Sequence, residues 1–265
     1  MKKLSYYIKI YFKIIAQDIK SKMSYRADFI ISTLGMIMTD AVELLAFYIM
    51  FLNFPSVCGW NYHEMLFLYG FSLMALTPLQ CLFDNNWNLR RYVYEGEFIK
   101  YCFRPINIFF YFTSEVFDIK GLGQLFVGLG TIVFAWNKLG IAVSPLIILG
   151  FVIALISASL FMIAIMNLAA ATCFFMQNSG YVMVTMHKFR DYAKYPVTIF
   201  TSVFKFVFTF IIPIAFVAYY PSQILLRPDN IPLLTWFSPL YGIVFFYLSY
   251  RVWLYGAKKY SGTGS

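Results

Sequence analysis

The chain has 265 residues, of which 61% are hydrophobic and only 12% are charged, and its mean hydropathy is +0.70. Soluble domains are about one quarter charged and about one half apolar, so this composition excludes a water-soluble globular protein and a disordered chain. The formal net charge is +9. Membrane proteins collect Lys and Arg in their cytoplasmic loops, so this charge needs no nucleic-acid partner to explain it.

The first 22 residues combine two stripes of opposite character. Apolar residues such as Leu4 and Ile8 recur every three or four positions, and basic residues such as Lys9 and Lys13 follow a second stripe at similar spacing. This spacing predicts an amphipathic helix over 1–22. A helix with one apolar and one basic face is expected to lie in the membrane interface and not to cross the bilayer.

Six later stretches approach or exceed the roughly 20 apolar residues that a helix needs to cross a bilayer. The predicted spans are 29–53, 64–84, 113–136, 145–170, 197–219 and 235–255. The expected fold class is therefore all-α, a polytopic membrane protein with six transmembrane helices. We predict a single transmembrane domain over 1–255 and a tail over 256–265, and no functional role is inferred for the terminal SGTGS.

The basic residues are distributed unevenly between the two sides of these spans. Sixteen of the 21 Lys and Arg residues fall in the N-terminal segment, in the loops 85–112 and 171–196, or in the tail. The opposite loops carry only Lys138 and Arg227. Positively charged loops stay in the cytoplasm, so both termini are predicted to be cytoplasmic.

Two connections are more than simple turns. The cytoplasmic stretch DNNWNLRRYVYEGEFIKYCFRP, which contains the segment 85–105, is long, charged and partly helical in pattern. Such a stretch is typical of a docking element for a soluble partner, or of a loop that contacts lipid headgroups. The external stretch 220–234 is rich in proline yet apolar, which predicts a re-entrant or interfacial hairpin. Its prolines are Pro221, Pro228 and Pro232.

Charged residues inside predicted spans are the main candidates for an intramembrane site, because each is costly at the centre of a bilayer. Asp40 and Glu43 share one face of the first span, and Lys205 lies at a similar depth in the fifth. One hypothesis is that Asp40 pairs with Lys205 inside the bundle. The alternative is that both carboxyl groups are protonated or face water, and the sequence does not decide between the two.

Other sites of chemistry are not indicated. The sequence has no GxxxxGK[ST] nucleotide loop, and the glycine run GLGQLFVGLG at 121–130 lies in an apolar span, where glycine favours close helix packing. His63 and His187 are predicted near opposite membrane faces, and the four cysteines are far apart. We therefore expect no metal site, no cofactor bound by this chain and no enzyme activity.

Three sequence blocks resemble a known family. The block YEGEFIKYCFRPIN, then the Tyr-Pro pair of DYAKYPVTIF and the block IIPIAFVAYYPSQILL, resemble permease subunits of bacterial type-2 ATP-binding-cassette (ABC) transporters, in the branch of short six-span permeases. The likeness covers most of the chain. Its most specific part is an acidic-glycine-acidic run followed by Arg-Pro. These residues are Glu95, Gly96, Glu97, Arg104 and Pro105.

The resemblance implies a division of labour between chains. Permeases of this kind form dimers, and the loop between their second and third spans supplies a coupling helix that inserts into a separate ATPase. A broken segment before the last span re-enters the membrane from outside. Carried onto this sequence, the charged residues of segment 85–105 face or orient the ATPase groove. They are Arg90, Arg91, Glu95, Glu97 and Arg104.

The function expected from the resemblance is that of a permease subunit of an ATP-driven exporter in the bacterial cytoplasmic membrane. Its partners would be membrane lipid, ATPase subunits that bind ATP and Mg²⁺, and a second six-span permease, identical or related. Two alternatives stay open: a transporter or channel driven by an ion gradient, and a membrane anchor for an ATPase without transport. The substrate is not predicted.

Overall fold

The computed structural model describes residues 2–22, 26–177 and 179–262. This part of the chain is all-α, as predicted, and its only extended pairing is one isolated bridge between Val57 and Trp60. The α-helices are α1 Lys2–Lys22, α2 Arg26–Asn53, α3 Tyr62–Leu82, α4 Asn86–Tyr94, α5 Ile99–Cys102, α6 Ile108–Ser114, α7 Gly121–Leu139, α8 Pro145–Ala171, α9 Gly180–Arg190, α10 Ser202–Phe206, α11 Tyr219–Leu226 and α12 Leu233–Lys259.

Five helices in the described residues are long and apolar enough to cross a membrane, and they lie in α2, α3, α7, α8 and α12. They correspond to five of the six predicted spans, which confirms an all-α multi-pass membrane protein. Two boundaries differ from the prediction. The third span begins at Gly121 and not at 113, and the last helix runs to Lys259, so the predicted tail begins inside a helix.

The chain before α7 is not helical because its polar groups are held by α1. Residues 116–118 form no helix, and the N–H of Phe117 donates to Asp18 Oδ2 at 3.0 Å. Lys22 Nζ donates to the carbonyl of Phe117 at 2.8 Å and pairs with Asp18 at the same distance. The predicted N-terminal helix is therefore present, and these bonds attach its C-terminal end to the connection between α6 and α7.

Helix α3 is the centre of the bundle, with most of its residues buried. An Asn61–Glu64 capping box begins the helix, with each side chain accepting from the other residue's backbone N–H. Gly70 on α3 faces Gly128 on α7, and a Cβ at Gly70 would lie 2.9 Å from the Gly128 carbonyl oxygen. The predicted role of the 121–130 glycine run in close helix packing is thus confirmed at Gly128.

The predicted span 197–219 is wrong as a continuous helix. The stretch contains two short 3₁₀ turns, the five-residue α10 and a π-helical turn over Val207–Ile211. Proline explains two of the breaks, because Pro196 and Pro213 have no N–H to donate to a helix. Both prolines lie beside non-helical residues.

A different segment, 180–199, runs along α3 from one end to the other. At one end Gly180 abuts Arg90 of α4, just beyond the C-terminal end of α3. At the other end Trp60 Nε1 donates to Thr198 Oγ1 at 2.8 Å. Between them, Lys194 lies over the ring of Tyr69 in the middle of α3. The segment consists of α9 and two 3₁₀ turns, so it lacks the length of a recognisable membrane helix.

Residues 202–226 form a hairpin beside this segment. In the first arm of the hairpin, Phe208 packs on Phe189 and Phe200, with ring centroids 6.0 and 5.1 Å apart. In the second arm, Phe216 stacks on Tyr241 of α12, with ring centroids 4.2 Å apart. Helix α11 follows, and its Tyr219 contacts Trp60, so this arm ends at the Trp60 end of the bundle. The predicted re-entrant hairpin at 220–234 is therefore displaced toward the N-terminus.

Candidate functional site

The surface formed by α4, α5 and the turn between them carries the sequence-predicted coupling residues. Arg90, Arg91, Glu95, Glu97, Arg104 and Pro105 are all exposed. None of the five charged side chains forms an ion pair within the part of the chain that the structure describes. Two large aromatic side chains lie among them, Tyr94 at 70% exposure and Phe103 at 80%. We call this the α4–α5 surface.

Gly96 determines the bend between the two short helices. Its φ is +81°, a left-handed conformation in which a residue with a Cβ is strained. The left-handed residue stops α4, and the chain turns so that the N–H of Phe98 donates to the carbonyl of Tyr92 at 2.9 Å. The glycine of the acidic-glycine-acidic run therefore shapes the backbone, and Glu95 and Glu97 project beside it as exposed side chains.

Aromatic packing holds this surface on the bundle from beneath. Phe98 is fully buried and contacts Phe174 and Trp253 edge-on, with ring centroids 5.1 and 5.9 Å apart. Trp253 of α12 is itself fully buried and packs on Phe112 of α6. Such aromatic pairs contribute about 0.5–1.5 kcal/mol each beyond the area they bury. The α4–α5 surface thus rests on rings from three different helices or turns.

Glu115 fixes the far end of α5, and sequence reasoning did not assign it this position. One carboxylate oxygen pairs with Lys100 at 3.1 Å, and the other accepts from the Tyr101 hydroxyl. Burial raises the pKa of Tyr101 above its ordinary value, and the bond to Glu115 raises it further. The hydroxyl therefore stays protonated at neutral pH and keeps its donor role toward Glu115.

Three contacts join the start of α4 to separate parts of the bundle. Asn85 Nδ2 donates to the carbonyl of Phe112 on α6 at 2.7 Å. Asn86 Nδ2 donates to Oδ1 of Asn167 on α8, also at 2.7 Å. Trp87 packs edge-on against His187 of α9, with ring centroids 4.9 Å apart. These partners could not be predicted from the sequence, because each lies far along the chain.

The intramembrane charges are arranged differently from the hypothesis. Glu43 pairs with Lys194, Oε1 to Nζ at 2.7 Å. Lys205 is exposed, and the structure does not pair it with Asp40. Asp40 is only 5% exposed and forms no ion pair with any described residue. Lys194 falls in the predicted cytoplasmic loop 171–196, so its ion pair with Glu43 was not predicted.

A polar cavity of about 340 Å³ is lined by Asp40, Glu43 and Lys194 and lies between α2, α3, α7 and the 180–199 segment. Its wall also includes Arg190, whose Nη2 lies 3.2 Å from His187 Nε2 and 3.3 Å from Asp191 Oδ1. Both acidic and basic groups therefore line one partly open cavity. No group of His, Cys, Asp and Glu suited to a metal ion occurs among the residues described.

The prolines predicted to mark an external hairpin lie at its end and just beyond it. Pro221 is buried in the first turn of α11, where the missing N–H has no helical partner to lose. Pro228 follows α11, and Pro232 caps α12. Arg227 anchors this end to the α2–α3 loop: its Nη2 donates to the carbonyl of Gly59 at 2.7 Å and pairs with Glu64 at 3.1 Å.

Comparison with known proteins agrees with the three-block resemblance. A family described as ABC-2 family transporter protein matches residues 36–264, which include the α4–α5 surface, the hairpin and the last helix. No curated protein and no solved structure matches the chain. The match covers well over half of the 265 residues. The chain belongs to the ABC-2 transporter family, and it is a multi-pass membrane permease of ABC transport.

Proposed function

We propose that this permease is the transmembrane subunit of an ATP-driven exporter, powered by ATPase subunits on a separate chain that bind the α4–α5 surface. The observation that carries the proposal is a set of five exposed charged side chains that have no ion-pair partner among the described residues and that lie on a buried, well-packed base. Charged groups of this kind fix the orientation of a partner more than they add affinity.

The base of this surface supports a mechanical role. Asn85, Asn86 and Trp87 contact α6, α8 and α9 respectively, so a displacement of α4 acts on three parts of the bundle at once. The bonds are short and the rings beneath them are buried, which makes the unit stiff. ATP-driven closure of the ATPase subunits would then be transmitted as a rigid-body shift of helices.

A second permease, identical or related, completes the proposed assembly. Helix α2 exposes a row of large apolar side chains along much of its length. They include Ile31, Leu34, Met38, Val42, Leu45, Ile49 and Leu52. In this proposal the row contacts lipid and the second permease. ATP and Mg²⁺ bind to the ATPase, and this chain binds no cofactor of its own.

The proposed topology has six crossings in the bacterial cytoplasmic membrane, with both termini in the cytoplasm. The five long helices supply five, and the segment 180–199 supplies the other because it extends along the whole of α3. The hairpin 202–226 begins and ends near the Trp60 end of the bundle, so it re-enters from outside. This assignment moves Arg190 and Lys194 from a loop into the membrane.

The alternative of a transporter driven by an ion gradient is favoured by one feature, the intramembrane cavity lined by Asp40, Glu43 and Lys194. The two functions differ in their need for an ATPase. Transport by the purified permease alone in proteoliposomes, with an ion gradient and no ATPase, would support the gradient-driven function. Transport that requires ATP and the ATPase would support the exporter.

The test of the α4–α5 surface is co-purification with the ATPase. The wild-type chain is expected to retain a soluble ATPase in detergent and to display vanadate-sensitive ATP hydrolysis. The double variant Glu97→Gln, Arg104→Gln should insert normally but lose the ATPase or transport fewer molecules per ATP. The matched control is Lys138→Gln, Asp229→Asn, which removes one charge of each sign at exposed sites elsewhere. Unchanged coupling in the Glu97 and Arg104 variant would refute the assignment.

A further inference from the structure

The polar cavity in the bundle contains one carboxylate that forms no ion pair with any described residue. Glu43 is paired with Lys194 at 2.7 Å, and Asp191 is paired with Arg190 at 3.3 Å. Asp40, the third carboxylate of the wall, has no ion pair within the described residues, although it is 95% buried. An unpaired carboxylate is costly in a bilayer interior, so the cavity as a whole favours a positively charged group.

Hydrogen-bonding groups of the cavity point to the kind of cation. Asp40 Oδ2 and Gln124 Oε1 are both buried acceptor atoms with no hydrogen-bond partner among the described residues. The two side chains are 5% and 8% exposed, and both line the cavity. A primary ammonium group carries three N–H donors and no acceptor, so it can satisfy both atoms and balance the charge of Asp40.

Another lining residue, Arg190, offers a donor in place of an acceptor. Arg190 Nε is buried without a partner among the described residues, while Nη2 of the same guanidinium already bonds Asp191. The Nε position can only donate. A ligand that satisfies Asp40, Gln124 and Arg190 together therefore carries both a protonated amine and a hydrogen-bond acceptor.

We propose that the cavity between α2, α3, α7 and the 180–199 segment binds a small primary ammonium compound. Its ammonium group contacts Asp40 and Gln124, and an acceptor group at its other end contacts Arg190. The cavity volume of about 340 Å³ falls at the lower end of the range of about 300–1,000 Å³ found for small-molecule sites. This site goes beyond the proposed coupling to an ATPase and does not depend on it.

Binding to the purified full-length permease, without any ATPase, tests the proposal. The probe is ethanolamine, which is protonated at neutral pH, and binding is followed as a concentration-dependent rise in the unfolding temperature in detergent. Ethylene glycol, which has no charge, and choline, whose quaternary ammonium has no N–H, are the matched probes. Saturable stabilisation by ethanolamine alone supports the proposal. Equal effects of all three, or no saturable effect, overturn it.

Variants locate the site. Asp40→Asn should weaken ethanolamine binding by about tenfold or more, because the ammonium group loses its negatively charged acceptor. Gln124→Met should weaken it severalfold, and the exposed control Asp229→Asn should bind like the wild type. If Asp40→Asn does not fold, Gln124→Met and the choline comparison decide. Wild-type affinity in Gln124→Met and in any folded Asp40→Asn would overturn the assignment.

The ammonium group could belong to a free amine or to the headgroup of phosphatidylethanolamine. The two sources are distinguished in nanodiscs made either of phosphatidylcholine alone or with added phosphatidylethanolamine. A lower apparent affinity for ethanolamine in the second lipid would identify the headgroup as a competitor, and equal affinities would identify a free amine. Either result supports an ammonium site, and loss of binding in both lipids would argue against it.

Discussion

Asn86 and Asn167 form a buried hydrogen bond between the α4–α5 surface and the interior of the bundle. Nδ2 of Asn86 lies 2.7 Å from Oδ1 of Asn167, and the two side chains are 3% and 0% exposed. Asn86 begins α4, and Asn167 lies near the C-terminal end of α8. The bond therefore connects the proposed ATPase-binding surface to one of the long membrane helices.

Replacing Asn86 with Ala leaves the amide of Asn167 buried without its partner. Such a loss costs about 1–3 kcal/mol, so we expect a lower unfolding temperature in detergent and less transport per ATP hydrolysed. The control is Asn137→Ala, because Asn137 is exposed near the C-terminal end of α7. Asn86→Ala with wild-type stability and coupling would show that the buried bond contributes neither.

Gly96 gives a second, more local prediction about the α4–α5 surface. With φ at +81°, an alanine at this position is strained by about 1–2 kcal/mol. Gly96→Ala should reorient α5 relative to α4 and weaken association with the ATPase, measured by co-purification, while the bundle stays folded. Gly130→Ala is the control, because a Cβ at Gly130 meets nothing within 4 Å. Equal ATPase recovery for both variants would contradict this role.

The long helices and the charged segment 85–105 could be predicted because each is encoded locally. Twenty or so consecutive apolar residues indicate a membrane helix wherever the rest of the chain lies, which is how α2, α3 and α8 were found. The segment 85–105 was found in the same way, from its charges and its partly helical pattern. Its partners, such as Asn167 and His187, could not be predicted, because tertiary contacts between distant residues leave no periodic pattern.

The prediction assigned 171–196 to a loop and 197–219 to a span, and the proposed topology reverses these assignments for a physical reason. The segment extends along α3 but includes Arg190, Asp191 and Lys194, so its composition is typical of a polar loop. The apolar run after it is typical of a span, yet Pro213 and the π-helical turn fold it back on itself. Ion pairs such as Lys194–Glu43 offset the polarity of the segment 180–199. A hydropathy profile does not show which charged residues are paired.

The contact between α8 and α12 depends on the absence of a side chain at Gly242. A Cβ there would overlap the carbonyl and hydroxyl oxygens of Ser157, and the Ser157 hydroxyl donates to the Ser238 and Pro239 carbonyls at 2.8 Å. Overpacking of this kind costs about 1–3 kcal/mol. We therefore expect Gly242→Ala to lower the unfolding temperature in detergent by several degrees.

Gly150→Ala is the matched control for that substitution. Gly150 lies on α8 as well, but a Cβ there has open space around it, and helix propensity favours alanine. This variant should unfold at the wild-type temperature or slightly above it. A similar loss of stability in both variants would mean that glycine is needed for a reason other than the α8–α12 contact.

Arg227 should control how firmly the hairpin is held at the Trp60 end of the bundle. Its guanidinium donates to Gly59, pairs with Glu64 and lies 4.8 Å from the ring centre of Trp60. In Arg227→Gln the mostly buried Glu64 loses its ion pair, so the end of α11 is expected to separate from the α2–α3 loop. Ser222 is fully buried on α11 and offers a position at which to measure this.

The measurement is the rate at which a cysteine at position 222 reacts with a water-soluble maleimide, followed by mass spectrometry of the labelled peptide. Ser222→Cys alone should react slowly, because the site is inaccessible. Adding Arg227→Gln should increase the rate several times, whereas adding Lys138→Gln, which removes a cation from an exposed site on α7, should not. If the two double variants react at the same rate, the ring contacts of Phe216 and Phe208 hold the hairpin. Arg227 is then not needed to keep the end of α11 against the α2–α3 loop.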